Sequence, residues 1–246
     1  MIAPPEKAFV LAAGRGERMR PLTDNCPKPL LTVAGQTLLD RALDALADAG
    51  VGEAVVNTHY LGAMIEEHLQ TRKFPRVIIS RETELLDTGG GVKKMLGFFG
   101  DAPFYVLNAD VVWMDGQQPA LQALADKWDA AQMDLLLLLY PSGNIPSYAG
   151  AGDYYLPEGS DRPVFAKGGG KTANYIFMGP RIVHPRLFEG APEGAFSFLE
   201  LFHKAERGGR LYGLRHGGEW YHVGTPEALA ETNRIISQHQ GKRITL

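Results

Sequence analysis

Ala8-Phe-Val-Leu-Ala12 runs directly into Ala13-Gly-Arg-Gly-Glu-Arg-Met-Arg-Pro-Leu-Thr-Asp-Asn-Cys-Pro-Lys-Pro29. The first five residues are apolar without alternation, the pattern of a strand buried on both faces of a parallel sheet. The Gly-, Arg- and Pro-rich stretch that follows is long for a connection, and ordered loops of that length tend to be functional. Further along, Leu38, Leu39, Ala42, Leu43, Leu46 and Ala49 fall at helical spacing, with Gly50 as a stop. Strands are then expected at Glu53–Thr58, Arg76–Ser80, Phe104–Asn108 and Met133–Tyr140. Helices are expected at Ala63–Leu69, Ala120–Asp129 and, after a Gly-rich turn, Gly91–Phe99. Alternating strands and helices predict an α/β fold with a doubly wound, mainly parallel sheet. Ligands of such sheets bind at the carboxyl ends of the strands, here just after Ala12, Thr58, Ser80 and Asn108. The remainder is less regular, and Pro141–Gly170, rich in Gly, Pro and Tyr, reads as short strands and loops laid over the sheet end. The pattern recovers in a helix at Ala195–Gly208, strands at Leu211–Leu214 and Trp220–Val223, and a last helix at Thr225–Gln240 capped by Thr225.

Composition narrows the classes. The 246 residues carry 25 Lys and Arg against 28 Asp and Glu, a net charge of −3. That charge offers no global field for a nucleic-acid polyanion or an anionic membrane. One cysteine, Cys26, excludes an intrachain disulfide and a Cys-rich zinc site. The longest strongly apolar run, Leu135–Tyr140, is far short of the roughly 20 residues that span a bilayer. With no signal-peptide pattern at the start, a cytoplasmic protein is expected, as a monomer or small homo-oligomer.

The loop after the first strand has the chemistry of a phosphate site. Gly14 and Gly16 let backbone N–H groups approach an anion. Arg15, Arg18 and Arg20 add planar cationic forks, and Lys28 between Pro27 and Pro29 adds a point charge on a stiff backbone. The bland alternative, a solvated basic loop, fits poorly with its place directly after a core strand. Two familiar phosphate motifs fail. Met19 stands where a dinucleotide fingerprint needs its third glycine, and Gly170-Lys-Thr172 lacks both the earlier glycine and the strand-to-helix context of a P-loop.

Leu11-Ala-Ala-Gly-Arg-Gly-Glu-Arg-Met-Arg-Pro-Leu-Thr23, with Pro27-Lys-Pro29, resembles the signature of the sugar nucleotidyltransferases. The likeness extends through Leu85-Leu-Asp-Thr-Gly-Gly-Gly-Val92, Asn108-Ala-Asp110 and Val223-Gly-Thr-Pro226. It is strongest to the short bacterial members that make UDP-N-acetylmuramic acid, with mannose 1-phosphate guanylyltransferases as the alternative. The resemblance implies a Rossmann-like single domain, with a nucleotide-binding half at about 1–115 and a sugar-binding half at about 116–246. It also implies transfer of a nucleotidyl group from an NTP to a sugar 1-phosphate with release of pyrophosphate. A nucleotide-sugar-binding regulator that has lost catalysis is the rival from another class.

By the same resemblance, Arg18 holds the leaving pyrophosphate and Lys28 stands between the α-phosphate and the sugar phosphate. Asp110 is the metal-binding aspartate, for Mg²⁺ or alternatively Mn²⁺ or Co²⁺. The chain departs from the family at Trp220-Tyr-His222-Val-Gly-Thr225, where an Asp or Asn is usual in place of His222. Three readings stay open: His222 ligates the metal, donates to phosphate, or packs. A nitrogen ligand suits Mn²⁺, Co²⁺ or Zn²⁺ better than Mg²⁺. The nucleotide is expected on Ala12, Ala13, Gly14, Arg15 and Gly16, with Glu82, Thr88 and Gly89 toward the base. Glu82 would accept from a base N–H, unless it is an exposed loop charge. The sugar is expected near Asn108, Lys171 and Asn174, although the family's Glu-Lys pair is missing.

Overall fold

The computed structural model describes residues 4–145, 152–165 and 173–243. In chain order the elements are β1 (Lys7–Leu11), a hairpin of β2 (Thr32–Val33) and β3 (Gln36–Thr37), α1 (Leu38–Asp48), β4 (Glu53–Thr58), α2 (Gly62–Leu69) and β5 (Arg76–Arg81). Next come α3 (Asp87–Lys94), α4 (Leu96–Phe99), β6 (Phe104–Asn108), β7 (Val111–Met114), α5 (Ala120–Lys127) and β8 (Leu135–Pro141). The remainder is β9 (Tyr154–Tyr155), β10 (Val164–Phe165), β11 (Tyr175–Val183), α6 (Phe198–Arg207), β12 (Leu211–Arg215), β13 (Glu219–His222) and α7 (Pro226–Arg243).

Strands β6, β1, β4 and β5 are parallel neighbours, as the buried apolar runs predict. Antiparallel β11 extends this block beside β6, pairs on its other side with β8, and β8 pairs in parallel with β12. Alternation along each strand feeds two cores. Ala8, Val10 and Leu107 join α1, α2 and α5 on one face. Phe9, Val106 and Leu137 join Val92, Phe198 and Phe202 on the other. Each Val, Leu or Phe side chain among these, taken wholly out of water, contributes roughly 1.5–3 kcal/mol. Caps fall where the residue types ask for them. Thr37 Oγ1 accepts from Asp40 N at 2.9 Å, and Thr225 Oγ1 from Ala228 N at 3.3 Å. Among the described residues no helix is long and apolar enough to cross a membrane.

A third, smaller cluster sets the posture of the loop after β1. Met19 packs with Val33, Leu38, Val112, Val223, Leu229 and Ile236, so the loop leans on the hairpin, the separate β7–β13 ribbon and α7.

Two expectations are corrected. The expected helix at Gly91–Phe99 starts earlier and is split: Gly89 and Gly90 are helix rather than turn, α3 runs from Asp87 to Lys94, and α4 follows separately. The glycines serve close approach. A Cβ on Gly90 would stand 2.1 Å from the Gly194 carbonyl oxygen, and one on Gly89 2.4 Å from the Phe196 ring. The nine-residue strand β11 lies in a stretch expected to be irregular. Its Gly179-Pro180 interrupts a strand pattern, and the structure absorbs it as a register shift between Phe177 and Arg181.

Candidate active site

Strands β1 and β6 end side by side, and Ala109 N donates to Leu11 O at 3.0 Å to prolong their ladder. The β1 loop and the Asn108–Asp110 turn therefore meet at the carboxyl edge of the sheet. Between them opens a cleft of about 530 Å³ lined by Ala12, Gly14, Arg15, Gly16, Arg18, Lys28, Thr88, Asn108 and Asp110, with Leu85 and Gly224 at its margins. A recess of about 150 Å³ shares Arg18, Lys28, Asn108 and Asp110 and is otherwise walled by Phe177, Met178, Gly179 and Trp220.

The loop holds its shape by its own bonds. Gly16 has φ +64°, and a Cβ there would press Thr23 Cγ2 at 3.0 Å and Lys28 Cβ at 3.1 Å, so only glycine suits the position. Thr23 Oγ1 donates to Gly16 O at 2.9 Å, and Tyr60 Oη to Thr23 O at 2.7 Å. Arg15 and Arg18 are exposed at the cleft with no ion pair among the described residues, whereas Arg20 pairs with Asp24 at 3.4 Å. Lys28 Nζ donates to Asp110 Oδ2 at 2.6 Å, with the lysine largely buried and the aspartate partly open. Burial pushes the Cys26 thiol pKa up, which disfavours its thiolate.

Asp110 presents a hard carboxylate oxygen beside the Gly- and Arg-rich loop after β1. That donor set fits Mg²⁺, which takes one or two carboxylates and completes its shell from phosphate oxygens and water. No group of three or more His, Cys, Asp or Glu able to hold a metal occurs among the described residues. The backbone of His222 pairs with Val111, the residue after Asp110, while the His222 side chain lies outside what is described.

Other expected residues stand elsewhere. Glu82 is neither an exposed loop charge nor part of the cleft wall. It is 5% exposed, and its Oε1 accepts from Asn57 Nδ2 at 2.7 Å while its Oε2 accepts from Leu86 N at 3.0 Å. Asn57 Oδ1 in turn accepts from Ala12 N at 2.7 Å. A buried bracket thus joins the start of the phosphate loop to the turn before α3, and Asn57 was not anticipated. Its one signal is an amide inside the otherwise apolar run Ala54-Val-Val-Asn57. Ala13 is buried, and Gly89 donates its N–H to Phe196 O at 2.9 Å. The Asn174 amide pins the β9 loop, its Oδ1 accepting from Leu156 N at 2.9 Å, away from the cleft. Lys171 lies outside the described residues.

Residues 7–150 match the family model described as nucleotidyl transferase. Over 237 residues the chain is 40% identical to the N-acetylmuramate alpha-1-phosphate uridylyltransferase of Caulobacter vibrioides, spanning 94% of this chain and 97% of that protein. The enzyme of the same name from Neisseria meningitidis serogroup B is 38% identical over 234 residues, 93% of this chain and 97% of its own. Among solved structures, a UTP-bound UGPase from Acinetobacter baumannii superposes with a TM-score of 0.79 at 18% identity, over 98% of this chain and 99% of that one. At that identity the likeness is one of fold.

Proposed function

The chain belongs to the nucleotidyl transferase family, and on that premise we propose that it transfers a uridylyl group from UTP to N-acetylmuramic acid 1-phosphate. The observation that carries this reading is the convergence of Arg15, Arg18, Lys28 and Asp110 on one cleft at the ends of β1 and β6. The choice of UTP and of this sugar leans on the two relatives of nearly full length.

In the proposed reaction a phosphate oxygen of the sugar 1-phosphate attacks the α-phosphorus of UTP. One P–O bond forms, the bond to the bridging oxygen of the β-phosphate breaks, and pyrophosphate leaves with that electron pair. Little covalent help is needed, so positioning and charge stabilisation supply most of the rate. The backbone N–H groups around Gly14 and Gly16 approach the triphosphate. The Arg15 and Arg18 guanidiniums take the leaving pyrophosphate, a fork-to-oxygen match. Lys28 Nζ, largely buried, sits between the α-phosphate and the incoming phosphate and offsets their mutual repulsion. Asp110, and His222 should its side chain reach, would hold Mg²⁺, or Mn²⁺ or Co²⁺, which would add Lewis-acid neutralisation of the phosphate oxygens. The recess walled by Phe177, Met178 and Trp220 is the place for the sugar, on the half of the chain beyond residue 116.

A matrix of four NTPs against a panel of sugar 1-phosphates, read by pyrophosphate release, tests the proposal. The expected result is turnover confined to UTP with N-acetylmuramic acid 1-phosphate. Preference for GTP with mannose 1-phosphate would replace the substrate pair. Nucleotide binding without turnover under any metal would replace the enzyme with a regulator.

A further inference from the structure

Arg181 is the largest fully buried side chain among the described residues, at 1% exposure, and no carboxylate there pairs with it. Its Nη1 donates to Asn108 Oδ1 at 3.0 Å and to Gly179 O at 2.7 Å. Its charge lies over the Phe198 ring at 4.4 Å and near Phe177 and Phe202 at 5.4 and 5.8 Å, while its Nε has no partner. Burial pulls the guanidinium pKa down to about 9, which leaves it charged at neutral pH. Taking such a charge out of water costs several kcal/mol, and an apolar side chain of similar size would fill the space at no such cost. Stability alone does not explain the residue.

Its geometry does. A guanidinium has donors only, so Asn108 must turn its amide oxygen toward Arg181 and its NH₂ away. Asn108 lines both the cleft and the recess, two residues before Asp110, and no acceptor among the described residues meets its Nδ2. The same Nη1 holds the Gly179 carbonyl, inside the register shift of β11 whose residues wall the recess. From these contacts we infer that Arg181 is a positioning residue, which fixes the Asn108 amide with its donor facing the cleft for an oxygen of the sugar 1-phosphate. The inference rests on the proposed transfer reaction and adds to it a residue that touches no substrate.

Two variants test it through kinetics and melting temperature together. In Arg181→Met the amide is free to turn, and the KM for the sugar 1-phosphate rises about tenfold, the scale of one hydrogen bond, while the KM for UTP stays within about twofold. Arg181→Lys, which keeps a donor, recovers part of that loss. Asn108→Asp gives the buried guanidinium a carboxylate and removes the NH₂, so the melting temperature holds or rises while the sugar KM rises as in Arg181→Met. This arm decides the matter if Arg181→Met does not fold. Adding Arg181→Met to Asn108→Ala costs nothing further, since one acts through the other. A lowered melting temperature with both KM values at wild type, or losses that add in the double variant, overturns the inference alone. A wild-type protein inactive with every sugar 1-phosphate overturns the transfer reaction, and this inference with it.

Discussion

Lys28 Nζ lies 2.6 Å from Asp110 Oδ2 across 82 residues of sequence, a contact that exists only because β1 and β6 are neighbours. The pair brings the cation proposed to face the phosphates against the carboxylate proposed to hold a metal. Each is the other's counter-charge here; in the proposed reaction phosphate oxygens would take over the lysine and a divalent ion the aspartate.

Lys28→Ala is expected to lower kcat by roughly 10²-fold or more, the scale of losing one preorganised donor. Because Asp110 is partly open to water, its lost partner is replaced by solvent and the fold survives. Pyrophosphate release beside a thermal melt checks both halves, and near-wild-type turnover would remove Lys28 from the chemistry. Arg18→Ala is expected to behave alike.

Chelation by EDTA should abolish turnover and leave the melting temperature unchanged, because no described cluster of protein ligands needs a metal to hold it together. A comparison of Mg²⁺, Mn²⁺ and Co²⁺ between wild type and His222→Asp then assigns His222. A ligating histidine predicts a shift toward Mg²⁺ in the variant, since an oxygen ligand replaces a nitrogen. Identical metal profiles would take His222 out of the coordination shell.

Glu82→Gln is expected to destabilise the protein by about 1–3 kcal/mol and to raise the KM for UTP. Both carboxylate oxygens accept hydrogen bonds, from Asn57 and from Leu86 N. An amide can offer only one oxygen, so one buried donor faces another. Denaturant melts and UTP titration read the two effects. A stable variant with unchanged UTP dependence would sever the bracket from the site.

Asp134 ties three segments together, with Arg186 Nε and Arg210 Nε both donating to its Oδ1. Burial alone would raise its pKa, but the two guanidiniums overrule burial and hold it below the ordinary carboxylate value. A depressed native pKa means that the stabilisation is complete above the unfolded value, about 4, and is lost as pH falls through the lower native one. Asp134→Asn should therefore melt several degrees lower at neutral pH, and the gap should close on acidification. A gap independent of pH would mean that the ionic contacts contribute nothing.

Much of the frame was legible because single segments carry it. Phe9 and its apolar neighbours announce a two-sided strand, Thr37 and Thr225 announce helix starts, and the glycines and arginines after Ala12 announce an anion site. What stayed hidden depends on partners distant in sequence. Strand β11 accommodates Pro180 only through the register shift between Phe177 and Arg181, which depends on β8 some forty residues earlier. Gly89 and Gly90 looked like a turn because nothing local reveals Phe196 and Gly194 pressed against their helix. Glu82 is expected at the nucleotide because of its position in the family resemblance, and nothing local reveals Asn57, 25 residues earlier, as the donor its carboxylate accepts from.

The packing of Met19 against Leu229 and Ile236 has a temporal meaning. A ribosome releases the loop after β1 early, yet part of the apolar bed that loop rests on comes from α7, which emerges far later. A nascent chain halted before Pro226 would thus carry the whole loop without its full apolar support, and would grip nucleotide poorly.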